Sequence, residues 1–128
     1  MTVSSAEAEI EQLFRTYVET INRQDVAGVA RLFSYPAMMG GIGHPLMAVP
    51  DEGAYRRLIE ATLEGFRARG WARTGIDRVQ AVATAGGTGF VQAHFTRYRE
   101  DGSVVDGGSA TYVVLHKDGC WTMIAAMA

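Results

Sequence analysis

Apolar residues recur at helical spacing in the first half of the chain and predict three helices. A capping box at residues 4–7 opens the first helix, because a Ser hydroxyl and a Glu three residues later satisfy each other's backbone N–H groups. Asp25 caps a second, shorter helix that extends through residues 32 and 33. Asp51 caps a third helix, which ends at Gly70. The first two helices are expected to form a tight pair.

The second half of the chain alternates between apolar and polar positions, which predicts β-strands. The turn-forming pairs Gly86-Gly87, Asp101-Gly102 and Asp118-Gly119 separate the runs and are typical of hairpins. Short turns predict an antiparallel meander, and helices that precede the strands predict an α+β fold. Residues 34–49, apolar but rich in Gly and Pro, predict an irregular or edge-strand segment. The predicted strands lie at residues 74–84, 89–99, 104–116 and 120–127.

The run at residues 89–99 carries polar side chains in the middle of a strand. Because successive strand residues point to opposite faces, Gln92, His94 and Thr96 share one face. Residues 91, 93 and 95 make the other face apolar. Burying polar groups costs free energy unless each group is paired, so the row favours a polar pocket over a dry core.

Composition and charge place the chain among ordinary globular proteins. Its 128 residues are 48% apolar and 20% charged, which predicts one domain over residues 1–128. A net charge of −2 predicts neither a nucleic-acid partner nor a membrane surface. With Cys120 as the single cysteine, neither a disulfide nor a metal site is expected. The N-terminus does not read as a signal peptide and no apolar run spans a membrane, so a cytoplasmic location is expected.

Two stretches resemble the nuclear transport factor 2-like superfamily, which includes ketosteroid isomerases and SnoaL-like polyketide cyclases. Residues 17–33 are similar to the family's opening pattern, with Tyr, Asn and Asp ahead of a Leu-Phe pair. Residues 118–121, Asp-Gly-Cys-Trp, are similar to its last hairpin. The resemblance implies a cone in which three helices cover a curved antiparallel sheet of four to six strands and enclose a pocket. It also implies a homodimer formed through the outer face of the sheet.

The resemblance further implies which residues face the pocket. Met38 and His44 would border its mouth, although a gap-filling methionine and a surface-loop histidine remain open alternatives. Three residues of the third strand would face outward, toward the dimer partner: Tyr112, Val114 and His116. The residues that it places in the pocket are Tyr17, Gln92, His94, Thr96, Ser109 and Thr111.

The carboxylates that drive catalysis in the family are missing from the matching positions. Tyr17 matches the catalytic tyrosine of ketosteroid isomerase, but the base falls near Gly41 and the oxyanion-hole acid near Thr111. His94 is then the acid–base candidate, because histidine exchanges protons near neutral pH. Tyr17 and Thr111 would be its hydrogen-bonding partners. The alternatives are a buried histidine satisfied by Thr and Gln neighbours, and a tyrosine that belongs to the core.

Limonene epoxide hydrolase and its relatives need paired acids. The acids within the predicted strands are Asp77 and Asp106, and the sequence gives no reason to expect that they form such a pair. The expected function is therefore a pocket for a small hydrophobic or amphipathic molecule, as in a lyase, isomerase or cyclase that works without metal or organic cofactor. The missing carboxylates favour an alternative, a non-catalytic binder of hydrophobic ligands or a dimeric assembly module. A pocket filled by the protein's own side chains is a third possibility.

Overall fold

A computed structural model of the chain describes residues 5–41 and 43–128, and this part contains three helices and six strands. The predicted α+β class is confirmed, as is a curved sheet covered by three helices. The capping box at residues 4–7 begins outside the described residues. The helices are α1 (Ser5–Asn22), α2 (Val26–Ala30) and α3 (Glu52–Ala68). The strands are β1 (Phe33–Gly41), β2 (His44–Val49), β3 (Trp71–Thr84), β4 (Thr88–Arg99), β5 (Val104–Lys117) and β6 (Cys120–Met127).

Two helix starts follow directly from the sequence. The Asp25 carboxylate accepts a hydrogen bond from the Gly28 N–H at 3.0 Å, and the Asp51 carboxylate accepts one from the Ala54 N–H at 2.8 Å. Each aspartate thus satisfies a backbone donor that the first helical turn leaves free. Gly70 follows α3 with a φ of +86°, a left-handed conformation that costs glycine little.

The segment between α2 and α3 is more regular than predicted. Helix α2 ends at Ala30, so the expected helical placement of residues 32 and 33 is wrong, and Phe33 begins β1. Strands β1 and β2 then pair as an antiparallel hairpin. Pro45 lies in β2, an edge strand of the sheet. An edge strand tolerates proline, because the position of the missing backbone N–H can face solvent instead of a neighbouring strand. The edge-strand alternative is therefore the correct one.

The six strands form one sheet in the order β2-β1-β6-β5-β4-β3. The predicted meander of β3 to β6 is antiparallel throughout, whereas β1 joins β6 in parallel. Register shifts interrupt the β3–β4, β4–β5 and β5–β6 pairs. Such bulges bend the strands, so the sheet curves around the helices.

Strand β4 has one face toward the helices and one away from them. Val91 and Ala93 are both 0% exposed on the inner face, which α1 covers. Gly89 lies on the same face, and a Cβ there would come within 2.9 Å of the Ile10 Cδ1. Small residues on β4 therefore let α1 approach the sheet closely. Gln92, between Val91 and Ala93, is exposed on the outer face.

Candidate functional site

A cavity of about 190 Å³ lies between α1, α3 and the inner face of the sheet. Most of its wall is apolar, because the stripes of α1 and α3 that face the sheet consist of aliphatic and aromatic residues. Among these wall residues are Phe14, Val18 and Ile21 from α1, Ile59 and Phe66 from α3, and Phe95 from β4.

Five polar side chains interrupt the apolar wall: Tyr17, Thr62, Thr74, Arg97 and Tyr112. Tyr17 on α1 and Tyr112 on β5 face each other, with ring centroids 5.3 Å apart and the planes at 60°. Both rings also pack against Phe14, at 6.1 and 5.4 Å. Tyr17 is only partly buried, because part of its side chain lines the cavity.

Tyr17 and Tyr112 line the cavity and form a cluster of neutral hydroxyls with Tyr55, which is buried on α3 outside the described lining. Burial raises the pKa of the Tyr17 phenol, because the charged form would lose its water. Hydrogen bonds with Tyr112 and Tyr55 and the charge of Arg97 act in the opposite direction without cancelling the effect of burial. Burial also raises the pKa values of Tyr55 and Tyr112, and the interactions among the tyrosines add to this effect. All three phenols are therefore protonated at neutral pH and can donate hydrogen bonds.

Arg97 brings a positive charge to the cavity wall. Its guanidinium carbon lies 4.3 Å from the ring centre of Phe66 and 4.7 Å from that of Phe95. Its Nη1 donates to the Asp106 Oδ1 at 2.9 Å, directly across the β4–β5 pair. Arg69, beyond the end of α3, donates to the other oxygen of Asp106 at 2.8 Å. Strand register and α3 thus fix the guanidinium between two aromatic faces.

The Asp106 carboxylate stays ionised in this arrangement. Partial burial works to raise its pKa, but the hydrogen bonds and charges of Arg97 and Arg69 outweigh burial, so the pKa lies below its usual value. A single carboxylate then compensates two guanidinium groups. The three side chains together keep one net positive charge at the wall of the cavity.

The predicted pocket placement of the polar row on β4 is wrong. His94 and Gln92 are exposed on the outer face, while the inner positions 91 and 93 are fully buried. The expectation failed because the sequence does not fix which face of a half-buried strand meets the helices, and a shift of one residue exchanges the faces. A polar row is also what a solvent-facing strand surface requires. His94 therefore has no place in the cavity.

The remaining polar residues of the predicted pocket also lie on the outer side. Thr96 donates a hydrogen bond to the Asp77 carboxylate at 2.6 Å. Ser109 and Thr111 pair with His94 and Gln92 across the β4–β5 ladder, so they share the outer face of that row. The pocket placement of all three is therefore wrong for the same reason of strand parity.

The same reversal affects the face that was assigned to the dimer. Tyr112 and Val114 are 8% and 0% exposed on the inner side, so their predicted outward placement is wrong. His116, which was grouped with them, is exposed and packs beside Trp121 at a ring separation of 5.0 Å. Tyr112 is instead one of the hydroxyl-bearing residues of the cavity.

The residues that were expected at the mouth lie outside the described cavity lining. Met38 is half-buried in β1, opposite Ala125 of β6, and Met127 is the methionine that reaches the cavity. His44 is exposed at the start of β2. Tyr17 does line the cavity, and its catalytic role stays a prediction.

The site residues that the sequence reasoning missed are Arg97, Phe66, Phe95 and Tyr112. Arg97 had a signal, because it continues the apolar face of residues 91, 93 and 95. A cation at the end of an apolar face indicates either a strand end or a charge held in a pocket. Phe66 could not be found in this way, since it comes from α3 and reaches Arg97 only through tertiary packing.

Within the described part of the chain, no three His, Cys, Asp or Glu side chains are grouped so that they could hold a metal ion. No helix in residues 5–41 and 43–128 is long and apolar enough to cross a membrane. The described cavity lining includes neither a histidine nor an Asp or Glu side chain.

Comparison with known proteins identifies the fold independently. A model of the family described as NTF2-like protein (DUF6841) matches residues 7–128. Aln2 from Streptomyces sp. is similar at 15% identity and a TM-score of 0.79, over 99% of this chain and 91% of Aln2. A cystatin-like-fold protein of unknown function from Nostoc punctiforme is similar at 19% identity and a TM-score of 0.80, over 99% and 92% of the two chains.

A third similar structure is a ketosteroid isomerase-like protein from Erwinia carotovora atroseptica, at 17% identity and a TM-score of 0.72. The match covers 98% of this chain and 95% of that protein. At these identities the likenesses show a shared fold alone. No curated protein matches the chain significantly.

Proposed function

The chain belongs to the NTF2-like family DUF6841, and on that premise we propose that it binds a small ring-containing molecule in the cavity between α1, α3 and the sheet. The observation that carries the proposal is the pairing of an apolar wall with the neutral hydroxyls of Tyr17 and Tyr112. Binding sites commonly combine such a wall with a few polar groups that orient the ligand.

The volume of the cavity limits the size of the ligand. An apolar cavity of about 150 Å³ accepts benzene, and this cavity measures about 190 Å³. One substituted ring therefore fills it. The hydroxyls favour a ring that carries a carbonyl or another oxygen acceptor, because a protonated phenol can donate a hydrogen bond to such an atom.

Benzamide is a suitable probe, since it combines one ring with a carbonyl acceptor. We expect the chemical shifts of cavity residues, measured by NMR titration, to saturate with benzamide. Thr62 on α3 lines the cavity, and its neighbour Ala61 is exposed, so Thr62→Phe and Ala61→Phe form a matched pair. Thr62→Phe fills the cavity and should abolish saturation, whereas Ala61→Phe should preserve it. Equal binding by the two variants would place the ligand elsewhere.

A second candidate, a cofactor-independent isomerase or lyase, is favoured by the hydroxyls of Tyr17 and Tyr112 beside the Arg97 charge. Neutral donors and a cation stabilise negative charge on a substrate oxygen. The described lining contains no Asp, Glu or His side chain to accept a proton, so ligand binding is the better supported function. Exchange of the α-protons of a cyclic ketone in D₂O tests the candidate, and a rate equal to that of buffer alone contradicts it.

A homodimer through the outer face of the sheet belongs to the same proposal. Phe90 is 37% exposed there, beside the uncharged side chain of Gln92. Aromatic residues are enriched at protein–protein interfaces, so an exposed aromatic side chain on this face favours one. We expect a dimer in sedimentation at micromolar concentration, and a monomer for Phe90→Glu. Leu46→Glu, at the exposed edge strand β2, is the matched control and should remain dimeric. A wild-type monomer would contradict the proposal.

A further inference from the structure

We propose that the natural ligand is an anion, a small ring compound with a carboxylate group that pairs with the guanidinium of Arg97. The inference rests on the proposed function, because it names the chemical class of molecule that the same cavity would hold. It is carried by the placement of Arg97, by the charge balance around it and by the position of the tyrosine hydroxyls.

Arg97 is held in a geometry that suits recognition of an anion. Its side chain lines the cavity and is 21% exposed. The rings of Phe66 and Phe95 lie within 5 Å of the guanidinium carbon, at 4.3 and 4.7 Å. Aromatic neighbours hold the planar group in one orientation and shield it from water, which strengthens any ion pair that it forms.

The local charges leave Arg97 incompletely compensated. The hydrogen bond between Arg97 and Asp106 uses Nη1, one of three nitrogens of a group that offers five N–H donors. Asp106 also binds Arg69, so one negative charge faces two positive charges. Among the described residues of the lining there is no acidic side chain to supply the missing charge. A carboxylate on the ligand would supply it.

The hydroxyls of Tyr17 and Tyr112 and the guanidinium of Arg97 belong to residues that line the same cavity. The charge of Arg97 lowers the pKa values of both Tyr17 and Tyr112, although burial has the larger, opposite effect on each. Two neutral O–H donors and one cationic donor thus surround a cavity of about 190 Å³. Carboxylate oxygens accept from both kinds of donor, and charge-assisted hydrogen bonds are roughly twice as strong as neutral ones.

Benzoate and benzamide test the inference, because they have nearly the same shape and differ in charge. We expect the wild-type protein to bind benzoate at least about tenfold more tightly than benzamide in NMR titrations at neutral pH. Added sodium chloride should weaken benzoate binding and leave benzamide binding nearly unchanged. The salt comparison uses the wild-type protein alone, so it does not depend on the folding of a variant.

Substitutions identify Arg97 as the origin of the preference. Arg97→Gln should remove the preference for benzoate, and Arg97→Lys, which keeps the charge but loses the planar fork, should retain part of it. Arg78→Gln is the matched control, because Arg78 is exposed and pairs with His94 on the outer face. It removes the same charge and should keep the full preference. Circular dichroism checks that each variant is folded.

The outcomes separate the inference from the proposed function. Equal affinities of wild-type protein for the two probes would overturn the inference and leave the binding cavity in place. A benzoate preference that survives in folded Arg97→Gln would also overturn it, since the anion would then be held by another group. If neither probe bound the wild-type protein, the proposed function itself would be contradicted.

Discussion

The two faces of β4 differ in burial, in polarity and in their contacts with the helices. The inner face carries Val91, Ala93 and Phe95 and then Arg97, and it meets α1 and α3 around the cavity. The outer face carries Gln92 and His94, which are exposed. Polar character is thus abundant on the outer face and sparse on the inner one. A polar group matters for ligand binding where water cannot replace it, so the few inner groups have the larger effect.

The outer face of β4 shows that a polar row on a strand does not by itself mark a binding site. A row of polar residues on one face of a strand suggests a site, but water satisfies such a row at no cost in an antiparallel sheet with one open face. A single polar residue on an otherwise apolar face needs a partner in the protein or in a ligand. Arg97 and Tyr112 are such residues, and both line the cavity.

The largest expected effect concerns neighbouring residues on the two faces of β4. Val91→Asp buries an unpaired carboxylate and should lower the free energy of unfolding by more than about 4 kcal/mol. Gln92→Asp places the same group in water and should cost less than about 1 kcal/mol. Urea denaturation of both variants measures the difference. Similar losses in the two proteins would mean that the faces are assigned incorrectly.

Alkaline pH should act on the hydroxyls of the inner face. The pKa values of Tyr17, Tyr55 and Tyr112 are raised by burial, so the unfolded chain releases these protons first. Their contribution to stability is fully present below about pH 10 and is lost as pH rises, by up to about 1.4 kcal/mol per pH unit for each phenol.

Phenolate absorbance of native and urea-unfolded protein, followed from neutral to alkaline pH, measures this difference. The phenolate absorbance of the native protein should rise at a higher pH than that of the unfolded protein. Burial also raises the pKa of Tyr35, to about 12, so Tyr35 contributes to this difference. Tyr112→Phe should reduce the difference between the two titration curves, because it removes one phenol whose pKa is raised. Coincident titration curves for the native and unfolded protein would show that the hydroxyls are not buried.

Ligand affinity should distinguish the two faces by a smaller margin. Tyr17→Phe removes one donor from the cavity and should weaken benzamide binding by about fivefold to tenfold. His94→Gln alters the outer face and should leave the affinity unchanged. NMR titration of both folded variants measures the dissociation constants. A loss of affinity in His94→Gln alone would restore the histidine as a site residue.

The smallest effect concerns the ion pairs of Asp106. Its pKa is lowered in the folded protein, so the stabilisation is present above the unfolded pKa of about 3.9 and is lost as pH falls through the folded value. Because the side chains are partly exposed, the loss should be below about 1 kcal/mol. Asp106→Asn should flatten the acid dependence of urea denaturation between pH 5 and pH 2, roughly the range of carboxylate titration.

Asp77→Asn provides the matched control for that measurement. Asp77 accepts a hydrogen bond from Thr96 outside the cavity, and the ion pairs among residues 5–41 and 43–128 do not include it. Its substitution should leave the Asp106-dependent part of the acid profile in place. If the two variants changed the profile equally, the arginine pairs of Asp106 would contribute nothing distinctive.

Local patterns of residue types are enough to predict the elements that depend on short-range chemistry. Asp25 and Asp51 start helices because their carboxylates reach N–H groups three residues away, and Gly70 ends α3 because it tolerates a positive φ. Glycine-containing turns fixed the meander from β3 to β6. These interactions span a few residues, so the pattern of residue types is sufficient to predict them.

In contrast, packing between distant segments determines which face of the sheet the helices cover and what the cavity contains. Alternation places residues of β4 on two faces, but the packing of α1 over Val91 and Ala93 selects the inner one. Tyr17 and Tyr112 are 95 positions apart along the chain (112 − 17), and Phe66 comes from a third element. Their convergence around Arg97 depends on packing between distant segments, which local patterns do not encode.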